Sequence, residues 1–166
     1  MAPRAQRQAG LTLIELMIVV AVLGILATLA MPGLGERLAR QRLAGTAEML
    51  ALDLAEARVE AAQSGLSLYL VFDRRADWCY AVARSPACGC SSDEACQLKV
   101  VRAGDARGVQ LVAADDAWFD GAILPVQGGR VLLRRSGGGE ELRIGLSPLG
   151  RPRVCSPNGM PGYPAC

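Results

Sequence analysis

The chain has no histidine. That excludes a Ser-His-Asp triad, a Cys-His dyad and any imidazole-ligated metal. Of its eighteen basic residues, all are arginine except Lys99. Net charge is only +2, which rules out a globally polybasic nucleic-acid binder and leaves room for a local basic patch. Aromatic residues are scarce at 4%, so a small domain of this composition would gain from cross-links. No internal repeat or low-complexity linker interrupts the 166 residues, a length that suits one compact domain plus an appendage. What the chain does have is apolar mass: 51% hydrophobic against 20% charged residues, a balance that disordered chains do not show. It also has six cysteines, which point to an oxidising compartment.

The first ten residues, MAPRAQRQAG, are polar, carry Arg4 and Arg7, and contain no acid. Residues 11–31 then read LTLIELMIVVAVLGILATLAM. As a helix this run would be about 32 Å long at ~1.5 Å per residue, enough to cross a bilayer core of ~30 Å. Arg4 and Arg7 would keep the leader in the cytoplasm. A secretory signal peptide would have a shorter apolar core followed by a small-residue cleavage site, whereas Gly10 precedes this one. Glu15 is the single charge in the run and would be costly in lipid without a partner. Cleavage after Gly10 would free an α-ammonium on Leu11 that could pair with Glu15. The alternative is a carboxylate that snorkels to the interface.

Pro32, Gly33 and Gly35 are expected to kink or loosen the helix. A second helical stretch is expected from about Glu36 to Gln63. Leu43, Ala47, Leu50, Leu54, Ala57 and Ala61 recur at spacings of three and four, one apolar stripe for core packing. Arg37, Arg40, Glu48, Asp53, Glu56, Arg58 and Glu60 fall off that stripe, and Ser64-Gly65 ends the helix. Strand-like runs follow at Leu66–Phe72, Trp78–Ala83, Gln97–Val101, Val109–Ala113, Arg130–Arg135 and Leu142–Leu146, separated by turn residues that include Gly137-Gly138-Gly139. A helix followed by antiparallel strands is an α+β fold. The organisation expected is a leader at 1–10, an apolar helix at 11–31, its amphipathic continuation at 32–65 and a β-sheet head at 66–166.

Cys79, Cys88, Cys90 and Cys96 cluster, with Cys155 and Cys166 at the C-terminus. The spacing C-x8-C-x-C-x5-C lacks the paired CxxC knuckles of a zinc site and the CxxC of a thiol oxidoreductase. Structural disulfides are expected. A Cys88–Cys90 bond would close a very tight ring, so each of these pairs with Cys79 or Cys96, and Cys155 pairs with Cys166. Two connectivities within the cluster remain open. No metal and no cofactor is expected.

Without Arg4 and Arg7 the basic residues exactly balance the sixteen acidic ones, so any charge effect must be local. Between Arg130 and Arg153 stand six arginines (Arg130, Arg134, Arg135, Arg143, Arg151, Arg153) and two acids, Glu140 and Glu141. Arg151 and Arg153 flank Pro152, which favours an extended segment with both side chains on one side. Two guanidinium forks on a stiff segment suit adjacent phosphates, while arginines that blunt a strand edge would look the same.

Gly10 followed by LTLIEL resembles the class III leader of type IV pilins and type II secretion pseudopilins. The resemblance implies cleavage by a prepilin peptidase between Gly10 and Leu11, methylation of Leu11, and a role for Glu15 in assembly. Leu11 departs from the family's usual Phe at that place, and Pro32 stands where the family often bends its helix. The layout resembles the GspH/FimT family of minor pilins, a long helix on two small antiparallel sheets, and RIGLSPLGRPRV at 143–154 is similar to that family's closing strand, turn and strand. Gly150-Arg151-Pro152-Arg153 matches the GRxR motif with which FimT-type minor pilins bind DNA in natural transformation. The resemblance implies a non-enzymatic subunit of the inner membrane and then of a filament of other pilins, binding duplex DNA weakly through Gly150, Arg151 and Arg153, assisted by Arg143 and Arg134. The alternative it implies is a structural pseudopilin of a type II secretion system without DNA binding. An envelope enzyme is disfavoured by the missing histidine and the missing CxxC.

Overall fold

A computed structural model describes residues 12–91, 94–121 and 125–166, with side-chain surroundings described throughout except at 29–33, 94 and 125–128. The element order is one helix followed by strands: α1 (Leu13–Ser64), β1 (Leu68–Asp73), β2 (Cys79–Ala83), β3 (Gln97–Arg102), β4 (Val109–Ala114), β5 (Ala117–Phe119), β6 (Pro125–Gly128), β7 (Val131–Arg135), β8 (Glu141–Leu146) and β9 (Pro152–Cys155). Two compact units divide the chain, residues 1–38 and residues 39–166.

In the first unit α1 begins at a capped end. The Glu15 amide donates to the Thr12 hydroxyl at 3.4 Å and to the Thr12 carbonyl at 3.1 Å. Thr12 is thus the N-cap and Glu15 stands three residues on, the T-x-x-E arrangement of a capping box. A carboxylate in the first turn also suits the positive end of the helix dipole. The large side chains that follow are exposed, Leu13 by 78% and Ile25 by 62%. α1 runs on through Pro32–Gly35, from Leu13 to Ser64, since a proline removes one ladder hydrogen bond without obliging the chain to leave the helix. No helix among the described residues is long and apolar enough to cross a membrane; the span expected at 11–31 lies partly outside the described residues, at Leu11 and in the side chains of 29–31.

In the second unit the expected stripe is the helix's inner face. Leu43, Ala47, Leu50, Leu54, Ala57 and Ala61 are all buried. Gly65 closes the helix with φ of 69°, its amide donating to the Ala61 carbonyl at 3.0 Å, a left-handed cap that favours glycine. The stripe packs into one core with Leu68, Leu70, Phe72, Tyr80 and Phe119 of a five-stranded sheet (order β3-β2-β1-β5-β6) and Val131, Leu133, Leu142 and Ile144 of a four-stranded sheet (order β4-β7-β8-β9). Strand pairing in both sheets is antiparallel. The Trp78 indole N–H donates to the Val109 carbonyl at 3.0 Å and ties the end of one sheet to the start of the other.

The cysteines pair as Cys79–Cys90, Cys88–Cys96 and Cys155–Cys166, with Cα separations of 6.4, 6.2 and 5.1 Å. The first laces the segment between β2 and β3 to β2 itself, and the second closes a loop within that segment just before β3. The third closes the tail, whose Met160 is buried in the core beside the half-buried Tyr163. Burial and a hydrogen bond to Glu48 on α1 push the Tyr163 hydroxyl pKa up.

Asp53 is a correction. Expected on the solvent side of α1, it is buried, 3% exposed. The Tyr80 hydroxyl donates to its Oδ2 at 2.7 Å and the Lys99 ammonium donates to its Oδ1 at 2.6 Å. A charge in this position is tolerated because both its oxygens are bonded and the one lysine of the chain balances it. Burial first, and then the bond to Asp53, raise the Tyr80 pKa well above its ordinary value.

Candidate nucleic-acid interface

The GRxR segment forms the return of the β8–β9 hairpin. The Gly150 amide donates to the Ser147 carbonyl at 2.8 Å, and the Ser147 amide donates to the Arg151 carbonyl at 2.9 Å. The Arg151 amide also donates to the Ser147 hydroxyl at 3.1 Å. Pro148 presets the first turn of the loop, and Gly150 has φ of 71°, the left-handed position that completes such three-residue hairpin loops. The glycine of the motif therefore makes the turn, and the arginines follow it. Arg151 immediately precedes β9 and Arg153 lies within it.

The register decides which arginines share a face. Gly145 is opposite Arg153, and Arg143 is opposite Cys155 on one side and Leu132 on the other. Leu142 and Ile144 point into the core, so Arg143 and Gly145 belong to the outer face, and Arg153 with them. Arg143 and Arg153 are diagonal neighbours, about 7–8 Å apart at the backbone. The missing side chain at Gly145 leaves open space beside Arg153. Arg151 and Arg153 are exposed and Arg143 is half-buried. Among the described residues none of these three guanidinium groups is in an ion pair or a hydrogen bond.

Arg134 shares the outer face but is already neutralised. It lies opposite Glu141 and bonds its carboxylate at 2.6–2.7 Å. Arg135 pairs with Glu140, which also accepts from Arg40 of α1 at 2.7 Å. The Arg135 hydrogen bond, with help from Arg40, holds the Glu140 carboxyl below the usual carboxylate value. Gly138 leaves room for this arrangement, since a β-carbon there would collide with the Arg135 guanidinium. The two acids of the basic end thus cancel two particular arginines, and Arg130, Arg143, Arg151 and Arg153 keep the local charge.

At the other end of the chain, Gly10 and Leu11 lie outside the described residues. Glu15 is exposed in the first turn of α1. Two features escaped the sequence reading. Thr12 as helix cap was legible in the T-x-x-E spacing. The Asp53–Lys99–Tyr80 contact had a weaker signal: Asp53 lies three residues after Leu50 and four before Ala57, which is stripe spacing. Among the described residues there is no group of three or more Cys, Asp or Glu placed to hold a metal ion.

These features define an α+β protein of pilin-like layout, a long N-terminal helix packed on antiparallel sheets. Residues 5–31 match the prokaryotic N-terminal methylation motif. The match supports a type IV pilin-like protein, with the processing by prepilin peptidase and the assembly with other pilins that this signal implies; such proteins are structural rather than catalytic. No curated protein and no solved structure matches the chain.

Proposed function

We propose that the protein is a minor pilin of the GspH/FimT kind. It is made as an inner-membrane precursor with its head in the periplasm, cut between Gly10 and Leu11, methylated on Leu11, and assembled into a filament with Glu15 aiding incorporation. Its head binds duplex DNA weakly in natural transformation. The observation that carries the DNA reading is the hairpin at Gly150, which exposes Arg151 and Arg153 with no acidic partner beside the equally unpaired Arg143. Such contacts address the phosphate backbone and carry no sequence preference. Arg134, held by Glu141, is a reserve cation that would have to exchange one carboxylate for a phosphate.

Binding of the full chain in detergent micelles to a duplex of about 20 base pairs tests this reading. Affinity is expected at about micromolar strength or weaker, falling as salt rises. The Arg151→Gln/Arg153→Gln variant should lose most of it and melt like wild type, because exposed, unpaired arginines add little to folding. Binding by that variant equal to wild type would overturn the motif reading. No salt-sensitive binding by wild type would favour the structural secretion pseudopilin. N-terminal analysis of the protein from membranes should begin at methylated Leu11, and a chain still beginning at Met1 would remove the filament reading.

A further inference from the structure

The outer face of the four-stranded sheet carries more than the hairpin. Arg153 is opposite Gly145, Arg143 lies two residues back along β8, and Arg134 is opposite Glu141, two residues further back and one strand over. The three arginines therefore run diagonally from β9 through β8 to β7. With strands ~4.8 Å apart and ~3.4 Å per residue, Arg153 and Arg134 are about 17 Å apart at the backbone. The diagonal does not end at Arg134. Arg134 lines a cleft of about 670 Å³ whose other walls include Arg74, Arg75 and Arg107. These come from the turn between β1 and β2 and from the loop before β4.

Arg74 and Arg107 are exposed and, among the described residues, unpaired. The Arg75 guanidinium has only a loose contact with Asp73, at 3.7 Å, while the Arg75 amide donates to the same carboxylate at 3.2 Å. Among the described residues Asp77 is the one acidic side chain lining the cleft. Gly104 and Gly108 line it without side chains, so an anion can approach the guanidinium groups closely.

We infer that this cleft is a second phosphate-binding site, and that a duplex lies diagonally across the sheet from the Arg151–Arg153 hairpin to Arg74 and Arg107. The inference rests on the DNA reading above and extends it from a two-residue contact to a track. A track of 17 Å or more matches the axial rise of about five phosphates of one strand at ~3.4 Å each. Contacts at both ends fix the duplex direction on the head, which a single hairpin does not.

The test is a salt titration of duplex binding by the full chain in detergent micelles. Four proteins are compared: wild type, Arg74→Gln/Arg107→Gln, Arg151→Gln/Arg153→Gln, and a charge-matched control, Arg42→Gln/Arg84→Gln, at exposed arginines away from the diagonal. The cleft variant should bind several-fold more weakly at low salt, and its slope of log K against log salt should be shallower by about 1.8, or ~0.9 per lost phosphate contact. The control should keep the wild-type slope. If the cleft variant matches wild type while the hairpin variant loses binding, the second site is wrong and the DNA reading stands. If the control falls as far as the cleft variant, the effect is net charge and the second site is also wrong. If wild type itself does not bind, both readings fall together. Thermal melts keep these outcomes clear of misfolding, since Arg74 and Arg107 make no side-chain bond whose loss would unfold the head.

Discussion

The two parts of α1 meet their surroundings in opposite ways. From Leu13 to Val20 seven consecutive positions apart from Glu15 carry large apolar side chains, and every one is exposed. From Leu43 to Ala61 the buried apolar residues fall at 43, 47, 50, 51, 54, 57 and 61, one face of the helix, while Met49, Leu52 and Val59 between them stay at least 49% exposed. A stripe has a wet side and a dry side, so it announces a globular partner. A segment apolar all round has no wet side and calls for surroundings that are apolar in every direction. One continuous helix thus serves two kinds of contact, and periodicity rather than hydrophobicity tells them apart.

The sharpest way to break this comparison is a matched pair of truncations. Leu54→Ala should cost the head about 2–5 kcal/mol, through lost burial and the cavity left behind. Leu23→Ala removes the same atoms from an exposed site and should change head stability by no more than ~0.5 kcal/mol. Urea unfolding followed by the fluorescence of buried Trp78 measures both, and equal costs would refute the division of roles. Next in size is Lys99→Met. It leaves Asp53 charged in the core with Tyr80 as its sole remaining partner and should cost about 2–3 kcal/mol. Adding Asp53→Asn should recover part of that loss, and a single-variant cost below ~1 kcal/mol would class the pair with surface ion pairs. The smallest effect is expected from Glu140→Gln, which loosens the bridge from Arg40 to Arg135 by about 1 kcal/mol. A carboxyl lowered on folding stabilises the head above its ordinary value of 4.5, and that contribution is lost as pH falls through the lowered value. Glu140→Gln should therefore flatten the acid side of the stability profile, and an unchanged acid limb would contradict the assignment.

The helix and most strands were legible because their periods are local. The stripe positions 43, 47, 50, 54, 57 and 61 were read correctly, as were the cores of six of the nine strands seen among the described residues. Ala117–Phe119 was missed because three residues do not establish an alternation, and Pro125–Gly128 because proline and glycine argue against a strand. Pro152–Cys155 was visible only through resemblance. Cysteine pairing stayed open because it depends on how the segment after β2 folds back, which no local pattern reports. Asp53 was misplaced for a related reason. Its partners lie on β2 and β3, and a charged residue at stripe spacing is ordinarily turned outward until such partners are known. The neutralised state of Arg134 likewise needs the register that sets it opposite Glu141.

The single lysine has a consequence for chemistry done on the protein from outside. Lys99 is the single side-chain amine that an amine-selective reagent can find in this sequence. The Lys99 side chain is 44% exposed, so a reagent can reach it, but its nitrogen is engaged 2.6 Å from Asp53. Acylation would remove the positive charge and release that contact. The rate of acylation at Lys99 thus reports how often its contact with Asp53 opens, and a dye placed there touches no arginine of the basic face.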